Sequence, residues 1–210
     1  MKTVARSTVA LTAAHAVGYL ISLAEVPILA RALGAPAYGE LVWVQATALL
    51  ASILVDYGFN LSASREIATR RGDVGFIKQF CGDVFLAKLS LLVLVTIPLV
   101  MAYLMFKPVS AGMAMAGFVY FVGFGMTPFW YFQGVERMGR AVAVETLARF
   151  AALIGLFMLV KSPDDATLGL TIMAIGSIAS TGVTIIMCRF EVGSFSGSMC
   201  GALTQLKQST

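Results

Sequence analysis

Charge is scarce in this 210-residue chain: Asp, Glu, Lys and Arg together make up 12% of it, roughly half the share usual in soluble domains. Too few ionic groups are available to clothe a water-facing globule. Histidine occurs once, at His15, and the three cysteines, Cys81, Cys188 and Cys200, stand far apart without a CxxC or Cys/His cluster. That spacing gives no metal site and no disulfide framework. With its one histidine in an apolar run, the chain offers no visible base for a serine or cysteine nucleophile, and "GSFSG" lacks the GxSxG spacing. Asp164–Asp165 is a lone acidic pair, too few ligands for a metal-dependent transferase. Gly123-x-Gly125 is followed by Pro128 where a dinucleotide loop needs glycine. No enzyme and no cofactor is expected.

What fills the chain instead is apolar: 59% of residues are hydrophobic and mean hydropathy is +0.87. The excess falls in six blocks, about 8–30, 41–60, 84–106, 111–133, 141–160 and 167–188, each near the ~20 residues that cross a hydrocarbon core. Lipid cannot satisfy unpaired backbone groups, and no strand alternation supports a barrel, so the blocks are read as helices. The expected fold is all-α: a polytopic membrane protein with one bundle of six transmembrane helices. Lys2, Arg6, Arg65, Arg70, Arg71, Lys78, Arg137, Arg140, Arg149, Arg189 and Lys207 fall at the N-terminus, the 2–3 and 4–5 connections or after helix six. Arg31, Lys107 and Lys161 occupy the alternate connections. This positive-inside pattern predicts that both termini are cytoplasmic. The net charge of +4 is thus a topology signal suited to anionic membrane lipid, not a nucleic-acid footprint. The first apolar run is longer than a signal-peptide core and is expected to be retained.

The longest connection, 61–83, begins "LSASREIATRR", a segment able to continue as an interfacial amphipathic helix. Lys88, just inside helix three, is expected to snorkel back to that interface. Trp130 and Tyr131 read as an aromatic belt. Pro27 and Pro128 are candidate kinks, and Asp165 or Thr167 a candidate cap for helix six. After Arg189 the chain turns polar, and residues 189–210 are read as a cytoplasmic tail cut short before a seventh span.

Polar residues at membrane depth are functional candidates because burial there is costly. On a helical wheel Gln45, Ser52 and Asp56 share roughly a 40° arc, with Asn60 beside them. His15, Ser22 and Glu25 share roughly 80°, and Ser177, Thr181, Thr184 and Cys188 roughly 60°. Three striped helices would suit a bundle with a water-accessible interior. The hydroxyl stripe equally suits interhelical hydrogen bonding, His15 a satisfied core position, and Glu145 with Arg149 an i,i+4 pair. Asp56 either lines a cavity or marks a water boundary.

Three segments, "ARALGAPAYGELVWVQA", "LVDYGFNLSASREIA" and "PFWYFQGVERM", in that order and on the expected helices, resemble the bacterial O-antigen and capsular polysaccharide repeat-unit flippases. These belong to the multidrug/oligosaccharidyl-lipid/polysaccharide exporter superfamily. The resemblance covers essentially the whole chain. It implies an inner-membrane protein that flips undecaprenyl-diphosphate-linked oligosaccharide by alternating access, with two six-helix lobes around a central cavity and an ion gradient driving the cycle. It further implies that Arg31 and Arg65 attract the diphosphate, that Asp56 supplies cavity polarity or proton coupling, and that Asn60, Glu66, Gln133 and Glu136 belong to the family motifs. His15 and Glu25 are coupling candidates by position, and Gln45 and Asn60 cavity candidates. Polysaccharide polymerase and chain-length regulator are expected partners. Family members carry two such lobes, so this chain is expected to be the N-terminal half, completed by a missing C-terminal lobe or, failing that, by a second copy in parallel. A cation-coupled drug exporter and a non-transporting scaffold of an export complex are the alternatives.

Overall fold

The structure is a computed structural model that describes residues 2–193, 197, 201, 202 and 205, with side chains from residue 16 onward. Among the described residues it is entirely helical: α1 (Lys2–Asp56), α2 (Phe59–Thr69), α3 (Val74–Phe106), α4 (Ala111–Gly125), α5 (Phe129–Gly134), α6 (Met138–Leu159), a 3-10 turn (Pro163–Asp165) and α7 (Ala166–Val192). Among the described residues, five helical stretches are long and apolar enough to cross a membrane: Ala16–Thr69, Val74–Phe106, Ala111–Gly134, Met138–Leu159 and Pro163–Val192.

The first of these is far too long for one crossing. Its 54 residues would extend roughly 80 Å as a straight helix, against a core of about 30 Å. The break is Gly34, whose φ of 71° and ψ of 168° lie in a region open essentially to glycine alone. Ser22 and Leu49 border the same cavity, yet they would stand roughly 40 Å apart on an unbroken helix. The chain therefore folds back at Gly34, leaving one arm before it and a second arm from residue 35 to Asp56.

The two arms pack with α4, α6 and α7 around one apolar core that includes Leu29, Leu41, Val55, Phe121, Leu156 and Leu170. The contact of α4 with α7 is the most extensive, because Gly123 lets the backbones close: a Cβ there would strike the Ser177 side chain. Small residues give helices in lipid this close approach. A second core gathers Phe59, Ile67, Phe80, Cys81, Trp130, Phe132 and Cys188 at the end where Arg65, Arg70, Arg71, Arg137, Arg140 and Arg189 collect, here called the basic end. Outward, α3 presents exposed Leu94, Ile97, Met101, Leu104, Met105 and Phe106, an apolar face beyond what a water-soluble monomer carries.

Several expectations are corrected. Helix three starts at Val74, ten residues before 84, because the Asp73 carboxylate caps it by accepting from Phe76 N at 2.9 Å. The block 111–133 is broken after Gly125 at Met126–Pro128, where the proline ring cannot continue the backbone ladder. Lys88 does not snorkel to an interface: it is 0% exposed, held by a carboxylate within reach. Trp130 and Tyr131 form no belt. They are buried in the basic-end core, where Phe85 meets the indole edge-on at 5.7 Å. Asp165 does not cap α7 but turns back to accept from Lys161 N, Ser162 N and Ser162 Oγ at 2.9–3.0 Å. The continuation of the tail toward another span lies largely outside the described residues.

Candidate functional site

Between the arms of α1 and helices α4, α6 and α7 lies a cavity of about 280 Å³. Each wall contributes polar groups from a helix that is otherwise apolar. The first arm brings Ser22 and Glu25, the second Gln45, the α4 side Tyr120 and Thr127, α6 Glu145 and Arg149, and α7 Ser177, Ser180, Thr181 and Thr184. Leu29, Leu49, Phe124 and Met173 fill the intervals. Apolar walls with a few convergent polar groups are the usual form of a small-molecule site.

The charge in this cavity is organised around Arg149. Its Nη2 donates to Glu145 Oε1 at 2.6 Å, and its guanidinium carbon stands 5.6 Å from the Phe124 ring centroid. Glu25, half-buried on the facing arm, lies within electrostatic reach of that guanidinium. Gln45 Nε2 donates to Tyr120 Oη at 3.2 Å. The Thr181 hydroxyl donates to the Gly123 carbonyl at 2.7 Å and stands 2.8 Å from the Thr127 hydroxyl. The α7 hydroxyls thus both bond between helices and border the cavity. Cys188, on the same sequence stripe, sits instead in the basic-end core.

Of the residues singled out from sequence, Glu25 and Gln45 border the cavity together. Asp56 and Asn60 do not. Lys88 Nζ takes Asp56 Oδ1 at 2.8 Å, and Asn60 Nδ2 reaches Asp56 Oδ2 at 3.4 Å. Arg31 is exposed beside the Gly34 fold and Arg65 is exposed on α2, so the second arm, roughly 33 Å long, separates them. Glu66 pairs with Arg70 at 3.2 Å and Glu136 with Arg71 at 2.8 Å, while Gln133 is exposed on α5. His15 falls outside the residues whose side chains are described.

Sequence reasoning did not assign Arg149 and Glu145 to the cavity; they read as a helix pair. The signal was on α6 itself. Ala141, Glu145, Ala148, Arg149 and Ala152 recur at helical spacing, so the small residues that admit a cavity flank the ion pair on one face. At the basic end, Glu191 Oε1 accepts from Arg137 and Arg140 at 2.9 and 2.8 Å, and Glu191 Oε2 accepts from the Tyr131 hydroxyl at 3.0 Å. These contacts tie the end of α7 to α5 and α6.

A family model described as "Polysaccharide biosynthesis protein" matches residues 4–204. A Shigella dysenteriae protein named as an O-antigen transporter is 31% identical over 177 residues, covering 83% of this chain and 44% of that protein. An Escherichia coli K12 protein of the same name is 30% identical over 162 residues, covering 76% and 39% respectively. The chain therefore spans less than half the length of these curated relatives. No solved structure matches.

Proposed function

The chain belongs to the polysaccharide biosynthesis protein family, and from that premise we propose that it is one lobe of a flippase carrying undecaprenyl-diphosphate-linked oligosaccharide repeat units across the membrane by alternating access. It is a multi-pass protein of the bacterial inner membrane. The observation that carries the reading is the cavity, where one guanidinium, Arg149, stands among hydroxyls and aromatic rings inside an apolar bundle. Arg149 takes the diphosphate, since charge-assisted bonds to phosphate oxygens are strong ones. Gln45, Tyr120 and the α7 hydroxyls meet the sugar as donors and acceptors. Glu25, facing Arg149, competes with the anionic headgroup and is the coupling carboxylate. Arg65 gathers the headgroup at the basic end, and Arg31 meets it at the other.

The fold at Gly34 is taken as a turn between two of six crossings, with the basic end and both termini in the cytoplasm, a reading that the positive-inside pattern supports. A companion lobe, missing here or supplied by a second copy, closes the cavity. Polymerase and chain-length regulator receive the product. Transport, not bond-making, is the activity. The test is Arg149→Ala in the full-length gene product, scored by surface polysaccharide and by retention of lipid-linked repeat units inside the cell. Export falls at least tenfold and Arg149→Lys recovers part of it. Normal export from stably inserted Arg149→Ala protein would sink the assignment.

A second reading, cation-coupled drug export, is favoured by one feature: two carboxylates, Glu25 and Glu145, border the cavity beside a single guanidinium. It predicts that deleting the gene alters resistance to cationic drugs while surface polysaccharide stays normal.

A further inference from the structure

Lys88 has a place in the molecule that neither the cavity nor the membrane boundary accounts for. Its ammonium is wholly buried and spans two breaks in the helical framework. On one side it contacts Asp56 Oδ1 at 2.8 Å. Asp56 is the last residue of α1, and Tyr57 and Gly58 after it take φ of 38° and 80° before α2 begins. On the other side Lys88 Nζ donates to the Thr127 carbonyl at 3.1 Å. Thr127 lies in the interruption between α4 and α5, ahead of Pro128. One side chain of α3 therefore closes two breaks at which the chain passes from the bundle to the basic end.

The segments beyond the two breaks are joined to each other. Gly134 of α5 packs so closely on α2 that a Cβ there would stand 2.7 Å from Ile67 Cβ and 3.0 Å from the Ser64 carbonyl oxygen. Arg71 Nε donates to the Gly134 carbonyl at 2.9 Å, and the same guanidinium pairs with Glu136 at 2.8 Å. In the other direction the Thr127 hydroxyl borders the cavity and meets the Thr181 hydroxyl at 2.8 Å. Lys88 is thus the link between the cavity wall and the joined pair α2 and α5. Stability alone does not call for a wholly buried ammonium, since buried charge can often be replaced by packed apolar residues without loss. A charge at membrane depth marks function by default.

We propose that Lys88 is a positioning residue for passage of the cargo: it pins the breaks after α1 and α4 to α3, so that α2 and α5 swing as one body when the cavity fills or empties. The swing turns at Tyr57–Gly58 and at Thr127–Pro128, and the Tyr131 hydroxyl on Glu191 is the contact that holds the pair closed on α7. Helices that reorient as rigid pieces about a few terminal residues are a standard form of conformational switch. The part played in transport rests on the function proposed above; the joint itself does not.

The experiment measures distances between spin labels in the protein in membranes, in a Cys200→Ser background where Cys81 and Cys188 are buried. Labels at Arg65 and Gln133 lie within the joined pair; labels at Arg65 and Leu168 cross the joint. In Lys88→Met the second distribution broadens at least twofold or shifts, while the first stays as in the wild type, and Lys88→Arg restores both. Should Lys88→Met fail to insert, Asp56→Asn with Lys88→Met removes both charges and is read the same way. Unchanged distances across the joint, or equal broadening within the pair, would overturn the pin. Export by the same variants separates the two proposals. Loss in both Lys88→Met and Arg149→Ala supports both, normal export in Lys88→Met alone overturns this one, and normal export in both overturns the transport reading.

Discussion

At Glu136 a carboxylate on the loop after α5 and the Arg71 guanidinium after α2 meet at 2.8 Å, both in contact with solvent. The hydrogen bond from Arg71 holds the Glu136 carboxyl below the ordinary glutamate range, and the guanidinium is correspondingly harder to deprotonate. A carboxyl whose pKa is lower in the folded than in the unfolded state stabilises the fold above its unfolded value, about 4.3, and loses that contribution as pH falls through the folded one. The contribution is small, because exposed pairs are screened. Glu136→Gln is therefore expected to lower the thermal midpoint slightly at pH 7. The difference from wild type holds down to about pH 4.3 and closes below it. A difference that grew on acidification would show that another group carries the effect. The Glu145–Arg149 pair is read differently. It presents a guanidinium to the cavity, and under the proposed function export is the measurement that reports it.

Among the elements, α1 depends most on a single backbone position. Gly34 combines a positive φ with an extended ψ, and L-residues held in that region lose about 1–3 kcal/mol. Gly39, five residues on, has no positive φ and no neighbour within 4 Å of a built Cβ. Gly34→Ala is expected to lower the thermal unfolding midpoint clearly, with Gly39→Ala close to wild type as the control. Equal midpoints would mean that the fold-back does not depend on this conformation. The sequence offered Gly34 only as a letter in a motif. Its role emerges from the cavity, which Ser22 and Leu49 could not share along one straight helix.

For the whole molecule, the arginine-rich end and the Lys107/Lys161 end impose an orientation on the bundle. Gln133 at the basic end is exposed, and Ser162 lies in the turn region at the opposite end. With Cys200 replaced by serine, Gln133→Cys is expected to react with a membrane-impermeant thiol reagent only after cell lysis, and Ser162→Cys in intact spheroplasts. The reverse pattern would invert the topology and, with it, the order proposed for Arg65 and Arg31. The chain spans less than half the length of its curated relatives, and the companion lobe belongs to the function proposed above.

Hydropathy is local, and for that reason the sequence by itself determined that this is a chain of membrane helices: roughly 20 apolar residues in lipid leave the backbone no other arrangement. It also placed the polar stripes, because the helical period assigns each residue a direction before any neighbour is known. Two of those stripes, through Glu25 with Ser22 and through Ser177, Thr181 and Thr184, border the cavity. Partnership was beyond its reach. Lys88 and Asp56 are 32 residues apart, and no wheel brings α3 against the end of α1. Only the tertiary structure turned Asp56 from a cavity candidate into the half-exposed partner of the buried Lys88, because a charge that has left water takes the nearest opposite charge that packing supplies.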